Sequence, residues 1–205
     1  MNVHRLFNPL QSGFKKGHST LTALLTVTDD IRWAIDHGLL SILSLFDLSK
    51  AFDRVHHELL LVKLKNVGFA DITVQWFRDY LTNRMQRVVH DSVFSLYIAI
   101  LTGVPQGSVL GPLLFSIYVN DFHTVLKHCK YHMYADDIQI YFHFHRNILE
   151  TAIEYINHDI CNIVNYLEGH NLMINSKKTQ PIILGMNLNC LNGDKMPPHF
   201  WLVEI

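Results

Sequence analysis

Two aspartates, Asp136 and Asp137, sit side by side between short runs rich in apolar and aromatic residues, 131–134 and 138–142. Such runs read as strands, so the chain turns back at Ala135-Asp136-Asp137 and a hairpin carries two like charges at its tip. A turn that needs only polarity can use Asn-Gly instead. Adjacent carboxylates repel each other. A divalent cation offsets that repulsion, and hard oxygen donors suit Mg²⁺. A solvated turn that happens to hold two acids is the plainer alternative.

Asp47 bears on that choice. Residues 39–47, LLSILSLFD, are an apolar run that ends on this carboxylate, which reads as a buried strand. A carboxylate buried there without a partner costs several kcal/mol of desolvation. If this strand lies beside the hairpin, Asp47, Asp136 and Asp137 converge at one edge of a sheet. Three carboxylates can hold two cations about 3.5–4 Å apart, the geometry that clamps the attacking and leaving oxygens of phosphoryl transfer. Asp53 follows Phe52 outside the strand and reads as a surface acid or helix cap.

Around these strands the pattern alternates. Residues 20–37 place apolar side chains near helical spacing, with Ser19 or Thr20 to cap and Gly38 to stop. Residues 56–67 read as a helix ending at Gly68, and Asp71 can cap another that runs to about Leu81. Residues 84–90 and 94–101 read as two strands. After a Gly/Pro break, 109 to about 126 reads as a buried helix. The clearest helix is 147–168, where Ile148, Ala152, Ile156, Ile160, Ile163 and Leu167 form one stripe. Short closing strands are expected at 172–174 and 181–184. The order is not strictly βαβ, so the expected fold class is α+β, a sheet with helices on one face.

Composition sets limits. A chain of 205 residues can remove about 70% of its unfolded surface from water, so it needs no disulfides. Cys129, Cys161 and Cys190, with no CxxC, give neither a disulfide framework nor a zinc ribbon, and suit a reducing compartment. His143 and His145 share a strand face and His128-Cys129 lies near His132, yet no set of four ligands has structural-zinc spacing. Apolar residues make up 49% and charged ones 17%, which excludes disorder and implies that some surface is covered by something outside this chain. A net charge of −1 argues mildly against nucleic-acid binding, whose domains are usually basic. Residues 92–120 carry no charge, but 103–108 break them into pieces too short to span a bilayer. No apolar signal core opens the chain, so the expected location is intracellular, neither secreted nor membrane-bound.

Two further segments present polar side chains. In residues 103–112, GVPQGSVLGP, glycines permit close backbone approach and prolines fix the path. Gln106 is the side chain this loop presents. Turn chemistry alone explains such a loop, but leading into a buried helix it reads as a platform for a base or a sugar. Residues 175–179, NSKKT, lie between apolar runs. Paired lysines are usually a solvated face; near metal and phosphate, one could donate a proton to departing pyrophosphate.

Taken in order, FDLSKAFDRVHH (46–57), GVPQGSVLGPLLFSIYVND (103–121), YADD (134–137) and LMINSKKT (172–179) resemble the reverse transcriptases of non-LTR, LINE-like retrotransposons, jockey-type elements especially. QSGFKKGHST (11–20) resembles the block those proteins carry before the first catalytic strand, so the likeness runs from about residue 11 to 185. It implies the palm of a right-hand polymerase with part of the fingers. The implied activity is RNA-directed DNA polymerisation, with an RNA template, a DNA primer and dNTPs as partners and two Mg²⁺ ions (Mn²⁺ able to substitute) as cofactors. By the same resemblance Asp47 and Asp136 are metal carboxylates, with Asp137 as the third acid. Phe52, next to Ala51, polices the sugar; Gln106 and Gly107 touch the incoming nucleotide and template; Lys178 lies near the triphosphate.

The domain expectation is a single palm and partial fingers over 1–190, with fingers elements near 11–40 and 57–106, and a divergent tail at 191–205. Arg5, Lys15 and Lys16 are the cations near the start, where the family carries a basic grip, and a thumb is expected to be absent. Missing basic parts would account for the neutral charge. The alternative function is a truncated, non-catalytic retrotransposon remnant with at most weak nucleic-acid binding. A carboxylate metallohydrolase leaves Phe52, the PQG loop and YADD unexplained.

Overall fold

The computed structural model describes residues 7–186. In chain order its elements are α1 (Thr20–Asp36), β1 (Leu40–Phe46), α2 (His57–Asn66), α3 (Asp71–Leu81), the short strands β2 (Arg84–Gln86), β3 (Val89–His90), β4 (Val93–Phe94) and β5 (Ile98–Ile100), then α4 (Leu110–Tyr118), β6 (Lys130–Tyr134), β7 (Asp137–Phe144), α5 (Leu149–Gly169) and β8 (Gln180–Leu184). The main sheet is antiparallel throughout, in the order β6-β7-β1-β8.

Alternation along β1 decides the two faces. Leu40, Ile42 and Phe46, with Ile138, Ile140 and Phe144 of β7, turn into the main core. There they meet Leu60 and Leu64 of α2, Leu114 and Phe115 of α4, and Ile156, Ile160 and Ile163 of α5. Each such buried side chain contributes about 1.5–3 kcal/mol of transfer free energy. On the second face Leu43 and Tyr141 leave an apolar patch, which Val27 and Ile31 of α1 cover. The expected α+β sheet with helices on one face therefore describes the main core, and α1 is an addition on the other side. Ser19 caps α1 through a capping box with Thr22.

Several boundaries differ from the sequence reading, each for a local reason. The expected helix at 109–126 ends at Tyr118 and resumes as a single 3-10 turn, Phe122–Val125. Between them Asn120 accepts a hydrogen bond from the Asn8 amide at 2.6 Å and Asp121 takes the Lys63 ammonium at 2.5 Å. Both polar side chains find partners off the helix axis. Ala70, not Asp71, caps α3, and Asp71 pairs with Lys65 at 2.8 Å. The two expected strands of 84–101 are each broken: β2 pairs with β5, and β3 with β4 across Asp91-Ser92, both at positive φ. This hairpin is exposed along most of its length. Ile148 falls in a 3-10 turn ahead of α5, 39% exposed, and leaves the stripe.

The expected strand at 172–174 contributes only one bridge, Leu48 to Ile174. His145 lies past the end of β7 and so shares no strand face with His143, whose ring meets Ser41 Oγ at 2.7 Å. Among the described residues no helix is long and apolar enough to cross a membrane. The tail at 191–205, Cys190 and Arg5 lie outside the described residues.

Candidate active site

The register of β1 against β7 ends at Phe46 opposite Ile138. Carried one residue past the end of β1, that register sets Asp47 beside Asp137, and the alternation of the strand turns Asp47 away from the face of Phe46 and the main core. Facing residues of an antiparallel pair lie about 4.5–5.5 Å apart at Cα. Tyr134 pairs with Asp137, so Ala135 and Asp136 form the whole turn of the hairpin. The sheet thus brings Asp47, Asp136 and Asp137 to one end, near enough for their charges to act on one another. The charges interact. Burial, then the Asp47 charge, push the Asp136 carboxyl above its ordinary range, against the pull of its own amide and of Lys178. Burial and then the charges of Asp136 and Asp47 do the same to Asp137, again opposed by Lys178. Three hard oxygen donors crowded together, two of them pushed up by burial and neighbouring charge, are a donor set suited to a divalent cation.

Asp47 is held from behind by a residue that the sequence reading passed over. Asn175 donates its backbone amide to the Asp47 carbonyl at 2.8 Å and its side-chain Nδ2 to Asp47 Oδ2 at 2.9 Å. Its own carbonyl accepts from the amides of Lys178 and Thr179, which closes a turn. That turn brings Lys178 Nζ to 3.4 Å from both carboxylate oxygens of Asp47. In NSKKT the asparagine that precedes the lysine pair, a turn-forming residue type, is the sequence signal for this contact.

The second group forms around Phe52. A 3-10 turn, Ala51–Arg54, follows β1, and the glycine-rich loop is strapped to it. Gly103 donates to the Val55 carbonyl at 2.8 Å, Val104 to the Phe52 carbonyl at 2.9 Å, and Thr102 Oγ1 to the Asp53 carbonyl at 2.9 Å. The His57 ring meets the Gly103 carbonyl at 2.8 Å. Gly103 sits at φ +90, and a Cβ there would lie 2.8 Å from Asp53 Cα. Gly103→Ala therefore both strains the backbone and forces the loop off the turn. We expect a loss of about 2 kcal/mol, read as a lower urea midpoint at unchanged slope.

Phe52 stacks on Phe115, with centroids 4.6 Å apart, and takes Phe14 on its edge at 6.1 Å. Ala51 is 2% exposed, so its side chain belongs to the core and its backbone alone can face a substrate. Gln106 and Gly107 are exposed. Gln106 Nε2 donates to Asp53 Oδ1 at 2.7 Å, which makes Asp53 the partner of the loop glutamine rather than a cap. Lys50, Asp53, Arg84 and Gln106 line a cavity of about 740 Å³ between loop and hairpin.

A separate cluster joins His128, His158 and Asp159, with potential ligand atoms within 4.8 Å of one another. The Asp159 carboxylate already accepts the amides of Lys127, His128 and Cys129 at 2.8–2.9 Å. Those bonds outweigh burial and hold its pKa below the ordinary range. It closes the loop before β6.

Residues 1–193 match the family model described as reverse transcriptase (RNA-dependent DNA polymerase). The chain belongs to this family. Among curated proteins it is 30% identical over 189 residues to the probable RNA-directed DNA polymerase from transposon BS of Drosophila melanogaster, covering 87% of this chain and 20% of that protein. It is 33% identical over 123 residues to the RNA-directed DNA polymerase from mobile element jockey of the same species, covering 60% and 13%. The chain thus spans a fifth or less of the length of these relatives.

Solved telomerase structures share the fold at low identity. Apo telomerase from Candida tropicalis superposes with a TM-score of 0.61 at 14% identity, over 81% of this chain and 35% of that one. Telomerase from Candida albicans, in complex with a TWJ fragment of telomeric RNA, gives 0.58 at 16%, over 83% and 32%. The antiparallel sheet with its helical layer is a reverse transcriptase palm.

Proposed function

We propose that this chain is the polymerising core of an RNA-directed DNA polymerase, joining dNTPs to a DNA primer 3′-hydroxyl along an RNA template. Residues 1–190 are read as palm and partial fingers, the latter near 11–40 and 57–106. The observation that carries the reading is the convergence of Asp47, Asp136 and Asp137 at one sheet end, with Lys178 beside Asp47.

These three carboxylates are the residues that would hold divalent cations, two Mg²⁺ in our reading, with Mn²⁺ able to substitute. When bound, such ions acidify a primer hydroxyl and neutralise triphosphate charge. The chain's own side chains do the rest. Asn175 fixes the Asp47 carboxylate. Lys178, on an exposed stem, can leave Asp47 for the triphosphate and give its proton to pyrophosphate as the α–β phosphate link breaks and the primer oxygen, its own proton lost to water, bonds the α-phosphorus. Gln106 and Gly107 face nucleotide and template, and Ala51 contributes backbone. Base pairing supplies sequence. Phe52, wedged between Phe115 and Phe14, presents a ring with little freedom to move aside, which suits it to excluding a 2′-hydroxyl. Phe52→Val should lower the preference for dNTPs over rNTPs by about 10- to 100-fold, measured by single-nucleotide incorporation; unchanged selectivity in an active variant removes this role.

The net charge of −1 favours the second reading, a non-catalytic remnant with weak nucleic-acid binding. Primer extension on an RNA template with Mg²⁺ and dNTPs separates the two. Incorporation that is lost in Asp47→Asn supports the polymerase; a folded chain that incorporates nothing, with Mg²⁺ or Mn²⁺, supports the remnant.

A further inference from the structure

The turn that carries Asp136 is built on an unfavourable backbone. Ala135 adopts φ +57, a left-handed conformation that an alanine, with no side chain to bond locally, seldom takes. Something outside the hairpin must hold it there. The segment ahead of α1 does so. Leu10 accepts from the Met133 amide at 2.9 Å, and Ser12 donates to the Met133 carbonyl at 2.8 Å. Gln11 thereby forms a parallel bridge alongside β6. Ser12 Oγ also meets His132 Nε2 at 2.9 Å.

Gln11, 2% exposed, spends its amide almost entirely on the turn. Its Oε1 accepts from the amides of Ala135 at 2.9 Å and Gly13 at 2.8 Å. Its Nε2 donates to the Ala135 carbonyl at 2.9 Å. Both polar groups of Ala135 are thus bound by one side chain. Gly13 allows this approach, because a Cβ there would lie 2.3 Å from the Ala135 nitrogen.

We infer that Gln11 is a positioning residue that fixes the Asp136 turn for metal binding, with Gly13 as the gap that lets it reach. The inference rests on the metal-holding role proposed above. Gln11 touches no reacting atom; it acts by denying Ala135 the right-handed alternative, in which Asp136 would leave the group shared with Asp47.

The test titrates the full chain with Mn²⁺, followed by electron paramagnetic resonance, with thermal melting beside it. Asp136→Asn defines the binding that depends on the carboxylates. Gln11→Met keeps the length and packing of the side chain but not its hydrogen bonds. It should weaken that binding by about 10-fold, as loss of a group that orients metal ligands does, at a temperature where melting shows it folded. Gly13→Ala, which pushes the same segment off Ala135 by a different route, should weaken it in the same direction. In nucleotide incorporation Gln11→Met should lower kcat and leave KM for the dNTP unchanged. Wild-type Mn²⁺ affinity in both variants, with loss in Asp136→Asn, overturns the positioning role and leaves the metal site standing. Full affinity in Asp136→Asn overturns the metal-holding reading and this inference with it.

Discussion

Asp136→Asn should cut primer extension by about 10³-fold or more, the several kcal/mol a metal contributes to phosphoryl transfer, while raising the melting temperature of the metal-free chain at pH 7. The second half follows from the direction of the pKa shift. Burial and the Asp47 charge raise the Asp136 pKa in the fold. Between the ordinary carboxylate range and that raised value, the folded chain therefore binds more protons than the unfolded one, and stability falls as pH rises. The penalty is fully present above the raised value and absent below about pH 3.9, the ordinary Asp pKa. Asparagine removes the charge and the penalty together. The gap in melting temperature should close as pH drops towards 4. Mg²⁺ should raise the melting temperature of the wild type and not that of the variant. A variant less stable than wild type at pH 7 without metal would contradict the charge argument, whatever its activity.

The second large effect lies in the core. Lys63 has a side chain only 10% exposed, and its Nζ lies 2.5 Å from Asp121 Oδ1. The Tyr166 hydroxyl donates to the same oxygen at 2.6 Å, and the rings of Tyr118 and Tyr166 stand 5.5 Å from the ammonium. Burial already lowers the Lys63 pKa, against the pull of Asp121. Asp121→Ala strands the ammonium in that cage. The expected loss is about 2–3 kcal/mol, at or below the low end for a fully buried pair because the Asp121 side chain is half exposed. Lys63→Met should cost less than about 1 kcal/mol, since Asp121 can take water and keeps the Tyr166 hydroxyl. Urea unfolding of both variants checks the asymmetry; equal losses would show that the ammonium is not confined as described.

How much of this was legible beforehand depended on where each residue's partners lie. The apolar run before Asp47 and the two short runs around Asp136-Asp137 announce strands by composition alone, and a carboxylate at the end of each makes their meeting chemically meaningful. Phe52 and the PQG loop could be named, but not their strap of hydrogen bonds. Gly103 docks on Val55 and Phe52 through backbone groups that carry no residue signature. Gln11 and Asn175 lie in segments the sequence marks, but their individual roles are not legible there, for a related reason. Each is an uncharged amide residue in a turn-like context, and its role comes from one distant partner, Ala135 or Asp47. The helix expected to run to 126 failed because Asn120 and Asp121 reach out to Asn8 and Lys63, contacts that local periodicity does not encode. The broken 84–101 hairpin follows the same logic. Its residues are strand-like in type, yet two consecutive positive-φ residues, Asp91 and Ser92, pull the tip into a separate small pairing.

Anomalous diffraction from a crystal of the chain soaked in Mn²⁺ tests the site most directly. Manganese peaks are expected bounded by carboxylate oxygens of Asp47, Asp136 and Asp137, and lost in crystals of Asp136→Asn. Manganese bound only elsewhere, at His128 and His158 for example, with nothing between Asp47 and the Asp136 turn, would contradict that expectation.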